Sequence, residues 1–223
     1  MIVLLFGPPG CGKGTQAALI AERFAIPSFS TGEMLRCEIR NGTELGRRAA
    51  AILASGGLVG DDIVNHMVAQ RLAQPGCAQG FLLDGYPRTV AQAHYLTALL
   101  TRLGFARPIP ILVDVPNEAI VTRITARRYC PACARIYNLV FQPPRRDGVC
   151  DADGTPLLRR QDDTAPVVLD RLEAYGRATG PMLGYYHDDL RRVDGNRPPA
   201  AVASEVLALL AAPAEAHLAA AAR

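Results

Sequence analysis

Residues 2–15 read "IVLLFGPPGCGKGT", and the fold turns on how they are read. The apolar run at 2–6 stops at Gly7, as a strand covered on both faces does. "TQAALIAERF" at 15–24 then places apolar residues three and four apart, the spacing of a helix packed on one side. Between them, "GPPGCGKGT" at 7–15 fits G-x-x-x-x-G-K. A ligand-free glycine-rich turn is the plainer reading. The strand before and the helix after favour a loop whose backbone N–H groups converge on phosphate oxygens at a helix N-terminus.

Lys13 belongs to that loop and is the one lysine among 24 basic residues. The arginine bias reads as codon usage, but a compact ammonium suits the β- and γ-phosphates where a planar guanidinium does not. Gly14 follows Lys13, and a hydroxyl comes only at Thr15. Mg²⁺ is therefore expected to be held mostly through water and the nucleotide.

Further along, a helix is expected from Thr31, which can cap it, to about Gly42, and others over 44–54 and 61–73. "FLLDG" at 81–85, "IPILVDV" at 109–115 and "RRVDG" at 191–195 read as strands. Helices are expected over 90–103, 118–128, from Pro166 to about 190 with a kink at Pro181, and over 199–210. Strands alternating with helices predict an α/β fold with a parallel sheet between helical layers. The alanine-rich end is expected to be a frayed or disordered tail.

Composition bounds the function. The chain has 223 residues, 49% hydrophobic and 20% charged, enough for one domain with a substantial core. No run approaches the ~20 apolar residues of a membrane span. No basic segment precedes the short apolar start, so no signal peptide and a cytoplasmic address are expected. A net charge of +3 does not argue for nucleic acid. No segment shows an unspent apolar face, and a monomer is expected.

The carboxyl edge of the sheet is the expected ligand edge. There "LLDGYPRT" delivers Asp84, Gly85 and Arg88, with Gln92 one turn later as an amide able to read a base. "STGEMLR" supplies Thr31 and Arg36. Arg123 and Arg127 are expected on one helix face, followed by Arg160 and Arg171. Each arginine alone is a plain surface charge; together they suit two polyphosphates that repel at contact distance. Phosphoryl transfer is mostly positioning and charge neutralisation. An acceptor phosphate is already largely a dianion near pH 7, so no general base is required.

"YCPACARIYNLVFQPPRRDGVCDADG" at 129–154 interrupts the alternation. Cys130 and Cys133 are followed after sixteen residues by Cys150, with Asp153 where a fourth Cys would stand. That spacing falls in the zinc-ribbon range, and carboxylate is an acceptable zinc ligand. A structural Zn²⁺ is expected, the unligated alternative being a decayed site. Asp151 is the poorer ligand, adjacent to Cys150 and turned away. Cys37 and Cys77 have no partner at ligand spacing and read as small apolar fillers. A nucleic-acid-binding zinc module is disfavoured because aromatics do not interleave with the basic residues.

These pieces together identify a family. "GPPGCGKGTQ", "STGEMLR", "GGLV", "GFLLDGYPRT", R-x₃-RR, the Cys segment, "RRQDD", "RLEAY" and "VDG" follow one another in order, and the chain resembles bacterial long-lid adenylate kinases from residue 1 to about 210. The resemblance implies a five-stranded parallel sheet flanked by helices and reversible transfer of the ATP γ-phosphoryl to AMP. It implies a core of 1–29, 60–125 and 164–210, an AMP-binding flap at 30–59, a lid at 126–163 and a tail at 211–223.

For ATP it implies contacts from Gly10, Cys11, Gly12, Lys13, Gly14, Thr15 and Arg127, with Ile136, Tyr137 and Arg197 near the adenine. For AMP it implies Thr31, Arg36, Gly57, Leu58, Val59, Gly85, Tyr86, Pro87, Arg88, Gln92, Arg160 and Arg171. Lys13, Arg88, Arg123, Arg127, Arg160 and Arg171 would surround the transferring group. Asp84 would orient Mg²⁺-bound water, and Asp162 and Asp163 would lie at the lid hinge. The chain departs from the pattern at Cys11, Gly57, Tyr86 and Asn138, the last expected to remove a lid hydrogen bond. A kinase for UMP, CMP or GMP is the nearest alternative specificity.

Overall fold

Five parallel strands form the central sheet in the order β2-β3-β1-β4-β7. The computed structural model describes residues 1–55 and 57–211, so the expected tail at 211–223 lies outside the described residues except for Ala211, which ends the last helix. The strands are β1 (Ile2–Phe6), β2 (Ser28–Ser30), β3 (Phe81–Asp84), β4 (Ile109–Asp114) and β7 (Arg191–Asp194). Every residue of β1 is buried, as its unbroken apolar run requires of a central strand. β1 pairs with β3 from Ile2↔Phe81 to Leu5↔Asp84 and with β4 from Val3↔Ile109.

Helices α1 (Lys13–Phe24), α2 (Thr31–Arg40), α3 (Glu44–Ala54), α4 (Asp61–Leu72), α5 (Val90–Arg102), α6 (Asn117–Thr125), α7 (Ala165–Tyr185) and α8 (Pro199–Ala211) fill the connections. Two apolar layers result. One gathers Leu4, Phe6, Phe81, Leu83 and Leu96; the other, across the sheet, gathers Val3, Leu5, Ile20, Ile111 and Val206. Alternate residues of β1 thus enter opposite layers, as a period of two demands.

Between α6 and α7 the chain leaves the core. A two-stranded antiparallel ribbon, β5 (Arg127–Tyr129) and β6 (Ile136–Asn138), starts this excursion. It closes where Tyr129 and Leu158 exchange backbone hydrogen bonds, both 2.8 Å long.

The structure corrects several expectations. β2 was not anticipated as a strand from its own three residues. Ser30, not Thr31, is the N-cap of α2, and it makes no side-chain capping bond. α6 ends at Thr125, so Arg127 lies in β5 and shares no helix with Arg123. α7 stops at Tyr185 with Pro181 inside it, short of the expected residue 190. Cys77 is a buried filler, but Cys37 is exposed.

Candidate active site and metal cluster

The loop of residues 7–12 joins β1 to α1 and packs against α6. A side chain at Gly10, which has φ of +78°, would meet Ile124 Cγ1 at 2.4 Å. Gly12, the α1 N-cap, has φ of +98°, a conformation that glycine adopts without strain. Lys13 Nζ folds back over the loop and donates to the carbonyls of Gly7 at 2.7 Å and Pro8 at 2.9 Å. Burial raises the Cys11 thiol above its ordinary range, against the pull of Lys13.

This loop opens into a cavity of about 760 Å³. Gly10, Cys11, Gly12, Lys13, Gly14 and Thr15 line it at one end, with Arg123, Ile136, Tyr137 and Arg197 around them. Arg36, Gly57, Leu58, Gly85, Pro87 and Arg88 line it from α2, the loop after α3 and the turn after β3. Asp84, Arg127, Arg160 and Arg171 lie on the same wall system. Chain segments far apart in sequence therefore meet around one space.

Asp84 ends β3 beside the loop, with Oδ2 3.9 Å from the place a Gly14 side chain would occupy. Gly85, with φ of +73°, turns the chain so that its carbonyl accepts from Thr31 Oγ1 at 3.1 Å and from Arg88 Nε at 2.8 Å. Its oxygen ties α2 to the arginine. Thr179 Oγ1 on α7 donates to the Arg88 carbonyl at 3.3 Å.

The arginines separate into two groups. Arg123 is held away from the rest by the Gly195 carbonyl at 2.9 Å and Asn196 Oδ1 at 3.2 Å. Its guanidinium faces the Phe141 ring at 5.7 Å. Arg88, Arg127, Arg160, Arg171 and Arg36 instead repel one another through space. Burial, reinforced by these neighbours, lowers the Arg88 and Arg171 guanidinium pKa values and brings Arg160 down to about 10. Desolvated like charges of this kind favour an incoming anion.

Two carboxylates partly balance this group. Fully buried Asp163 takes Arg127 through both oxygens, with Nε at 2.8 Å from Oδ2. Asp162 accepts from Arg171 at 2.7 Å. A third, Glu33 on α2, also lines the cavity and pairs with Arg36. The sequence reading passed over it, although Glu33, Arg36 and Arg40 recur at i, i+3 and i+7 on one helix face.

Other expected residues stand back from the cavity. Gln92 is buried, its oxygen accepting from the Arg88 amide at 2.8 Å and its nitrogen donating to Asp61 at 2.8 Å. Tyr86 is fully buried and its hydroxyl donates to Asn65 at 2.5 Å. Val59 packs in the core. Asn138 donates to the Arg123 carbonyl at 2.9 Å, while its oxygen accepts from the amides of Val140 and Phe141.

In the excursion, Cys130, Cys133, Cys150 and Asp153 place one ligand atom each within 4.8 Å of all the others. Cys130 Sγ lies 3.3 Å from Asp153 Oδ2, and Cys133 Sγ lies 3.6 Å from Cys150 Sγ. Asp151 turns aside to accept from the Arg145 amide at 2.8 Å. Ile136 is exposed on the cavity side of β6, while Tyr137 is buried with its hydroxyl 3.4 Å from Cys150 Sγ. No helix among the described residues is long and apolar enough to cross a membrane.

Comparison with known proteins agrees with this arrangement. The family model described as adenylate kinase matches residues 5–190. A protein of Trichlorobacter lovleyi named adenylate kinase is 50% identical over 186 residues, covering 83% of this chain and 87% of its own. The one from Anaeromyxobacter sp. (strain K) is 48% identical over 201 residues, 89% and 94% of the two chains. That of Oceanobacillus iheyensis is 45% identical over 212 residues, 94% and 99% respectively. With a glycine-rich loop, an arginine-walled cavity and likeness over nearly its whole length, the chain belongs to the adenylate kinase family.

Proposed function

We propose that the chain catalyses reversible transfer of the ATP γ-phosphoryl to AMP, giving two ADP. One observation carries this reading: a single cavity joins the glycine-rich loop to five convergent arginines and continues to the 57–58 loop. Gly10 to Thr15 and Arg127 are assigned to ATP, with Ile136, Tyr137 and Arg197 toward its base. AMP is assigned to Arg36, Gly57, Leu58, Pro87, Arg88, Arg160 and Arg171. Thr31, Val59, Gly85, Tyr86 and Gln92 shape that side, Gln92 by fixing the Arg88 backbone.

Lys13, Arg88, Arg127, Arg160 and Arg171 screen the repulsion between two polyanions, the main barrier to in-line transfer. Arg123 acts at the edge of the ATP site, where Gly195 and Asn196 hold it. The Asp84 carboxylate beside Gly14 suits a hard cation through its water shell. Mg²⁺, when bound with ATP, neutralises phosphate charge. Residues 30–59 are proposed as a flap and 126–163 as a lid that excludes water.

The three thiols and one carboxylate fit tetrahedral Zn²⁺ in donor type and number. Four protein ligands leave no open position, so the ion is assigned a structural role. Initial rates with ATP and each of AMP, UMP, CMP and GMP test the function. ADP formation with AMP at least tenfold above the others is expected; equal or greater use of another monophosphate overturns the AMP assignment.

A further inference from the structure

We propose that Glu33 is a built-in counter-anion that sets the acceptor affinity, its carboxylate pairing with the cations that the acceptor's phosphate must claim. This rests on the acceptor reading above. Glu33 Oε2 lies 3.0 Å from Arg36 Nε and 3.7 Å from Arg160 Nη2, while Oε1 lies 3.0 Å from Arg40 Nη1. One side chain thus links α2 to the far end of the 126–163 excursion.

The cations are held unequally. Arg127 and Arg171 are fixed by Asp163 and Asp162, whose side chains are 0% and 19% exposed. Among the described residues, Arg36 and Arg160 have Glu33 as their one ion-pair partner. Glu33 itself is 38% exposed, so an incoming anion can reach and displace it. Burial pushes its carboxyl up, but Arg36 and Arg40 more than reverse this, and it stays ionised near neutrality.

A phosphate monoester brings nearly two charges and three acceptor oxygens, against one charge on Glu33. It outcompetes the carboxylate, whereas a nucleoside without phosphate brings nothing to replace it. Displaced Glu33 keeps Arg40, which is 58% exposed and does not line the cavity. The outer arginine holds the carboxylate while the inner two serve the substrate.

The test uses the full chain and Glu33→Gln. Partly exposed ion pairs are individually weak, so the AMP KM is expected to fall about three- to tenfold, with the ATP KM unchanged. Inorganic phosphate should compete with AMP more strongly by a similar factor. Glu33→Asp, one methylene shorter, should open the Arg160 contact and fall between the two. An AMP KM that is unchanged or raised in Glu33→Gln overturns the proposal. Should the wild type not phosphorylate AMP, the acceptor reading fails separately. Calorimetric phosphate binding to both proteins then decides on Glu33, tighter binding by the Gln variant being expected and equal binding overturning it.

Discussion

Asp163, fully buried, grips Arg127 through both carboxylate oxygens, so the guanidinium at the start of β5 is fixed by the residue that precedes α7 by two positions. The pair joins the two ends of the excursion. Asp163→Ala leaves Arg127 unpaired in a low-dielectric wall, a loss of about 3 kcal/mol. For a chain of this size that corresponds to a melting temperature lower by roughly 6–12 °C. Calorimetry against wild type measures it; a shift under about 2 °C would contradict the importance given to the pair.

Lys13→Met separates catalysis from folding. The ammonium donates to the carbonyls of Gly7 and Pro8, bonds worth about 1 kcal/mol each. The variant is expected to stay folded and to melt about 4–8 °C lower. Phosphoryl transfer should drop about a thousandfold or more, since preorganised charge at the transferring group is lost. Near-normal turnover would remove Lys13 from the mechanism.

Metal analysis of purified protein is expected to give about one Zn²⁺ per chain. Chelation should lower the melting temperature and leave activity in the surviving folded fraction, because a small irregular segment depends on its ion for order. Cys150→Ser should lose the metal and, with it, the support for Tyr137. An unchanged melting curve with no bound zinc would exclude the site.

Acid should expose the Glu33 pairs. Its carboxyl is pushed up by burial, but Arg36 and Arg40 draw it below the ordinary 4.5. A depressed native pKa makes a contribution that is complete above the unfolded value and disappears as pH falls through the native one. The stability difference between wild type and Glu33→Gln should therefore be constant near neutrality and shrink below pH 4.5. A difference that grows on acidification would contradict the pairing.

Local signals made much of this molecule legible. β1, the glycine-rich turn and α1 are a contiguous word whose meaning is set by neighbours in sequence. The four metal-cluster residues are legible for the same reason, since ligand spacing in a hairpin is itself local. β2 was illegible because "SFS" becomes a strand only by pairing with β3, Ser30 opposite Asp84. Arg127 escaped because the helical spacing runs on through it, while the chain turns into the β5–β6 ribbon instead. Gln92 has the chemistry of a base reader, yet Asp61, from a different helix, occupies its amide. Glu33 had a visible helical pattern with Arg36 and Arg40, but its contact with Arg160 is long-range and no spacing rule announces it.

The reciprocal bonds between Tyr129 and Leu158, with Leu139 N–H on the Ala126 carbonyl and Asn138 on the Arg123 carbonyl, make one clasp that holds residues 130–157 by their base. Changes of length or sequence beyond that clasp need not propagate into the parallel sheet. Such a segment is graftable: a loop of different size can be exchanged at this seam while the parallel sheet beneath keeps its shape.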